Sequence, residues 1–207
     1  MILSDREILD RMITSNDENS RIGITESIEF EIESDGIIKH TKINNYCIRE
    51  YLQPASVDFR LSYDIKIPKL KQYQFCVHPG DELDYECIDL REAIHNEFRI
   101  EPNMFLLAST VEKISVPTNL VMCVDGKSSL ARIGLLVHVT AGYIDPGFKG
   151  NITLELKNLA NYPIILKQNM KICQVRFHLL AGECIRPYGS AGLGSKYQDS
   201  EGTVGSK

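Results

Sequence analysis

Gly150-Asn151-Ile152-Thr153-Leu154-Glu155-Leu156-Lys157 alternates apolar and polar side chains with a period of two. The alternation predicts a strand that buries Ile152, Leu154 and Leu156 and leaves Asn151, Thr153, Glu155 and Lys157 on the opposite face. The same period recurs on both sides. Asn103 to Val116, between Pro102 and Pro117, reads as a long strand, and Leu120 to Val124 as another ending at Asp125-Gly126. Ile133 to Thr140, Tyr162 to Leu166 and Ile172 to Leu179 follow at spacings too short for helical crossovers. Many short strands in antiparallel order predict an all-β fold with short helices: a sandwich, jelly roll or barrel rather than a doubly wound sheet.

Outside these strands the chain is plainer. Ser4-Asp5-Arg6-Glu7 is a capping box, and Ile8, Leu9, Met12 and Ile13 share one face, so a short amphipathic helix is expected over 4–14. The charged, irregular stretch from Tyr63 to Arg99 reads as an excursion from the core. The Gly/Ser-rich tail from Gly189 to Lys207 has little to bury and is expected to be disordered or ordered by a ligand. At 207 residues, 43% hydrophobic and 25% charged, the chain suits a single domain, 1–207. No apolar run reaches the roughly 18 residues of a membrane span, and Met1-Ile2-Leu3-Ser4-Asp5-Arg6 shows no signal pattern. The expectation is a cytoplasmic protein with no membrane partner. Six scattered cysteines without a C-x-x-C pair read as reduced, mostly buried thiols.

The net charge of −5 argues against a nucleic-acid partner. The average hides a split: residues 1–125 hold 13 Lys and Arg against 23 Asp and Glu, whereas residues 126–178 hold 7 against 2. The two acids of this basic block are Asp145 and Glu155.

Within that block lie the residues able to carry chemistry. Asp125-Gly126-Lys127-Ser128-Ser129-Leu130-Ala131-Arg132 reads as a turn between strands, presenting two hydroxyls and two cations to a polyanion such as a phosphate chain. It is not a Walker A loop, and a solvated polar turn is the simpler alternative. In Thr140-Ala141-Gly142-Tyr143-Ile144-Asp145-Pro146-Gly147-Phe148-Lys149-Gly150, Gly142 permits close backbone approach and Tyr143 or Phe148 can stack on a sugar or base; a hairpin loop capped by Asp145 is the alternative. Glu155 is a general acid/base candidate if its polar face lines a cleft, and the Gln174 amide can read a base edge. His95-Asn96-Glu97 matches half of a zinc deaminase signature, but no P-C-x-x-C follows, so no metal site is expected. His138 and His178 read as packed or surface histidines.

Taken in order, five separated stretches resemble the dCTP deaminase family of the dUTPase-like superfamily: Met1 to Arg6 with Leu52-Gln53-Pro54-Ala55-Ser56-Val57-Asp58-Phe59-Arg60-Leu61, Gly126 to Leu135, Thr140 to Gly150, Ile152 to Glu155, and Pro187-Tyr188-Gly189 with Ser195-Lys196-Tyr197-Gln198. The resemblance implies a distorted antiparallel jelly roll or β-barrel, assembled as a homotrimer with interfacial sites. It further implies zinc-independent deamination of dCTP at cytosine C4 to dUTP and ammonia, feeding dUMP and dTTP synthesis, with Mg²⁺ bound only through the triphosphate. Glu155 falls on the catalytic glutamate, and Ser128, Arg132 and the Ala141 carbonyl fall on the groups that hold the attacking water. Lys127 and Ser129 match phosphate contacts, Asp145 the contact to the deoxyribose 3′-hydroxyl, and Gln174 a base-contacting position. Tyr188 and Lys196 match a mobile C-terminal lid, here 187–207.

Two departures bear on the product and the lid. Ser200 stands where the family pattern has a phosphate-reaching glutamine. Gly142-Tyr143 resembles dUTPases and bifunctional, dUMP-forming members rather than the His-Arg of many dUTP-releasing ones, whereas Ala131 stands where bifunctional members commonly have glycine. The alternatives are therefore a bifunctional dCTP deaminase/dUTPase, a plain dUTPase, and a non-catalytic nucleotide-sensing or protein-binding module.

Overall fold

The computed structural model describes residues 1–13, 21–25, 28–32, 38–43 and 46–207. In chain order the elements are α1 (Asp5–Ile13), β1 (Gly23–Thr25), β2 (Ile28–Ile32), β3 (Ile38–Ile43), β4 (Tyr46–Cys47), α2 (Ile48–Tyr51), β5 (Leu52–Gln53), β6 (Ser56–Lys69), β7 (Asp84–Asp89), a 3-10 turn (Ile94–Asn96), β8 (Glu97–Ile100), β9 (Phe105–Ser115), β10 (Leu120–Gly126), α3 (Ser128–Ala131), β11 (Leu135–Leu136), β12 (Tyr143–Ile144), β13 (Lys149–Asn158), β14 (Ile164–Lys167) and β15 (Lys171–Leu179). The main sheet runs β11-β13-β9-β6-β15-β10-β12, with β1 on β9 and both β5 and β7 on β6. Every one of these pairs is antiparallel.

The sheet curls because β6 changes partners along its length. Residues 57–60 pair with β15, whereas Leu61, Ile65 and Lys66 pair with β9. Val57, Phe59, Leu61 and Ile65 are fully buried where the two halves of the sheet face each other, with Leu106, Ala108, Leu154, Leu156, Val175 and Phe177. Each such side chain contributes about 1.5–3 kcal/mol by leaving water. The all-β expectation holds, as a distorted antiparallel sheet of the jelly-roll or barrel kind.

Helix α1 forms where the capping box places it. Ser4 donates from its amide and hydroxyl to Glu7 Oε2 (2.9 and 3.1 Å), and the Glu7 amide donates back to Ser4 Oγ (3.3 Å). Ile8 and Met12 are buried, and the helix is followed to Ile13; residue 14 lies outside the described residues.

Five expectations need correction. Ile133 to Thr140 is not one strand, since only Leu135–Leu136 pairs, with the end of β13. Gly134 sits at φ +91°, with Ala160 so close that a Cβ would meet it at 2.9 Å, and the chain beyond Leu136 turns away. The stretch from Asp125 to Arg132 is not a plain turn between strands but carries the single helical turn α3, closed by Ala131 N to Lys127 O (2.9 Å) and Arg132 N to Ser128 O (3.0 Å). The excursion from Tyr63 begins as a hairpin of the main sheet: β6 continues to Lys69 and β7 returns along it from Asp84 to Asp89. Charged residues and Pro68 on this exposed hairpin mask its alternation. The tail is ordered on its own chain, with Ser200 and Thr203 buried. Of the five cysteines with described side chains, only Cys173 is buried; Cys47 lies outside that set. Among the described residues no helix is long and apolar enough to cross a membrane.

Candidate active site

Strand β13 carries Glu155 as its alternation requires, with Leu154 and Leu156 buried on the core side. Its carboxylate is not left to solvent. The amides of Val139 (3.0 Å) and Thr140 (3.3 Å) both donate to Oε2, which explains why the chain after Leu136 leaves the sheet: its N–H groups serve a side chain instead of a ladder. Such charge-assisted bonds fix the rotamer of Glu155, and both converge on one oxygen, so they do not occupy Oε1.

Glu155 opens into a cleft of about 920 Å³ together with Ala141, Tyr143, Asp145, Tyr188 and Lys196. Tyr143 is 62% exposed and presents its ring to this space. Phe148 also reaches the cleft but is only 8% exposed; it meets Tyr188 edge-on at 5.7 Å between centroids and so supports the neighbouring ring. Seven of the residues singled out from sequence thus share one cavity.

The phosphate-turn residues lie elsewhere on the chain. Lys127, Ser128, Ser129 and Gln174 line a second cleft of about 540 Å³ that has no lining residue in common with the first. Arg132 is exposed just beyond α3. Gln174 accepts from Ser56 Oγ (3.3 Å) and donates to the Gly126 carbonyl (3.4 Å), which ties β15 to the start of the turn.

Three residues were not legible as site residues. Asp58, 2% exposed, accepts from Lys127 Nζ at 2.6 Å, with Lys171 Nζ at 3.5 Å. Breaking a buried pair costs about 3–5 kcal/mol, so this carboxylate fixes the Lys127 side chain at the base of the turn. An acid set in the apolar run Val57 to Leu61 is the sequence signal for it. His138 packs against Gly142, where a Cβ would meet its Cε1 at 3.0 Å, beside the loop that carries Ala141, and its buried Nδ1 has no hydrogen-bond partner among the described residues. Asn151 joins the site through the tail, as described below.

The chain is similar to known proteins over most of its length. The family described as dCTP deaminase-like matches residues 2–180. A dCTP deaminase, dUMP-forming, from Coprothermobacter proteolyticus is 41% identical over 191 residues, covering 85% of this chain and 95% of the relative. One of the same name from Halobacterium salinarum is 37% identical over 210 residues, covering 100% and 94%. Among solved structures, the 2′-deoxycytidine 5′-triphosphate deaminase from Agrobacterium tumefaciens superposes with a TM-score of 0.54 at 19% identity, over 86% of this chain and 48% of that one, and is a match of fold. This chain is a member of the dCTP deaminase-like family.

Proposed function

We propose that the protein hydrolyses dCTP at cytosine C4, releasing ammonia and forming dUTP, and that it carries the product on to dUMP and pyrophosphate. The observation that carries the chemistry is the Glu155 carboxylate, fixed by two backbone amides beside Ala141 in the same cleft as Asp145. In the proposed reaction Glu155 takes a proton from water as the oxygen bonds to C4, and protonates N3, which makes C4 electrophilic. The C4–N bond then breaks, and the amine leaves as ammonia with a proton returned through the same carboxylate. The Ala141 carbonyl, Ser128 and Arg132 hold the water. Asp145 receives the deoxyribose 3′-hydroxyl, and Tyr143 and Gln174 contact sugar and base. Lys127, Ser129, Tyr188 and Lys196 take the triphosphate.

This assignment needs residues from both clefts at one substrate. We therefore propose a homotrimer in which α3 of one subunit meets the Glu155 cleft of the next. Mg²⁺ is proposed to enter with the triphosphate. The Ser129 hydroxyl of the turn would orient the phosphates that carry it.

The dUMP-forming outcome is supported by Gly142-Tyr143 and by the names of the relatives. Incubation of the purified protein with dCTP and Mg²⁺, with ammonia, dUTP, dUMP and pyrophosphate quantified, tests both steps. Ammonia with dUMP and little free dUTP is expected. Ammonia with accumulating dUTP removes the second step, and pyrophosphate from dUTP with no ammonia from dCTP overturns the deaminase.

A further inference from the structure

We propose that Asp64 is a positioning residue for this reaction, clamping the last residues of the chain so that they roof the Glu155 cleft; this rests on the deaminase reading of that cleft. The clamp is made by two irregularities in the sheet. On β6, Leu61 pairs with Thr110 but Ile65 with Ala108, so residues 62–64 stand opposite Ser109 alone. On β9, Lys113 pairs with Asn151 and Ser109 with Thr153, so residues 110–112 stand opposite Ile152 alone. Bulges free backbone groups and re-aim side chains. Here the carbonyls of Thr110 and Glu112 take the Asn151 amide (3.0 and 3.3 Å), and the Asp64 carboxylate faces the tail.

The tail meets this surface donor by donor. Gly202 N donates to Asn151 Oδ1 (3.1 Å), Thr203 N to Asp64 Oδ2, Val204 N to Thr153 Oγ1 (3.1 Å) and Ser206 N to the Tyr85 hydroxyl (3.1 Å). The Thr203 hydroxyl donates to the Asp64 carbonyl at 2.8 Å, and Thr203 is 2% exposed. Val204, Gly205 and Ser206, held by these bonds, line the cleft that contains Glu155 and Asp145. Asp64 touches none of the proposed reacting atoms; it acts through the chain it holds.

Its chemistry is specific. Oδ1 accepts from Ser109 Oγ (2.5 Å) while Oδ2 accepts from Thr203 N, so one carboxylate receives both donors. Asparagine has the same size but lacks the charge that strengthens both bonds. Gly202, at φ +61°, supplies an independent handle, because a Cβ there would stand 2.7 Å from Asp64 Oδ2.

Hydrogen exchange at the Thr203 and Val204 amides, with steady-state kinetics on dCTP and Mg²⁺, tests the proposal in the full chain. D64N is expected to exchange these amides at least about tenfold faster and to raise KM for dCTP about tenfold, the scale of one charge-assisted bond, with a smaller change in kcat. G202A, which keeps the Asp64 carboxylate but sets a Cβ against it from the tail side, is expected to reproduce both effects, and D64N added to G202A to change KM no further. Unchanged exchange in D64N, faster exchange with unaltered KM, or a further loss when D64N is added to G202A would each overturn it. A wild-type protein that releases no ammonia from dCTP overturns the deaminase reading instead, and the exchange data then judge the clamp by themselves.

Discussion

Glu155 sits where an alternating strand turns its one acid away from the core, and its two amide partners come from a segment that abandons the sheet to supply them. Those amides can also donate to a glutamine carbonyl, if more weakly, so Glu155→Gln keeps the side-chain placement while removing the proton exchange. Ammonia release is expected to fall by about 10²–10⁴-fold, with dCTP affinity by calorimetry changed less than about threefold, well under the tenfold that 1.4 kcal/mol represents. Substantial residual turnover takes Glu155 out of the proton-transfer role. Glu155 was legible because a period of two names the exposed face. Asp64 was not, because its role comes from a register shift between β6 and β9, and no local pattern distinguishes a bulge from an ordinary strand of the same composition.

At the scale of elements, α1 and most of the long strands follow from local signals. The Ser4 amide, and secondarily its hydroxyl, hold the Glu7 carboxyl below the usual glutamate range. A lowered folded pKa means that the box stabilises α1 fully above the ordinary glutamate value and loses that contribution as pH falls through the lowered one. The difference in thermal midpoint between wild type and E7Q should therefore shrink on acidification; a difference that stays constant through the acid range would show that the ionised box contributes nothing. What local signals did not reveal is where a strand is interrupted for another purpose. Residues 133–140 have strand composition, yet Gly134 and the demand of Glu155 for donors leave only two of them paired. The hairpin of β6 and β7 failed in the opposite direction, since its exposed strands carry too many charges to show alternation.

For the whole molecule, the division of the candidate residues between two clefts is the main fact that sequence order could not supply. In the proposed trimer each site takes Glu155 from one subunit and Ser128 from its neighbour. Two inactive variants then complement each other. Glu155→Gln mixed equally with Ser128→Ala, after subunit exchange, is expected to regain about a quarter of wild-type ammonia release, because random assembly leaves one interface in four intact. Recovery of no activity would mean that both residues serve a site within one chain. The local excess of cations in residues 126–178 also takes a different meaning in three dimensions. Lys127 and Lys171 flank Asp58, Arg176 meets Asp125, and Lys167 meets Glu97, so much of that charge is answered within the subunit. A triphosphate would be held by hydrogen-bond geometry and by cations gathered from neighbouring chains rather than by a bare basic surface.

The parallel bridge between Gly150 and Ser200 and the bond from Thr203 to Asp64, 139 residues apart in sequence, also fix an order of events. The landing place for the tail is made of register shifts among β6, β9 and β13, and it does not exist until those three strands have aligned. Closing so long a loop before its acceptors are in place gains nothing against the entropy of closure. The tail is thus expected to dock after β6, β9 and β13 have paired, so that cleft and roof are completed only on a sheet already in the right register.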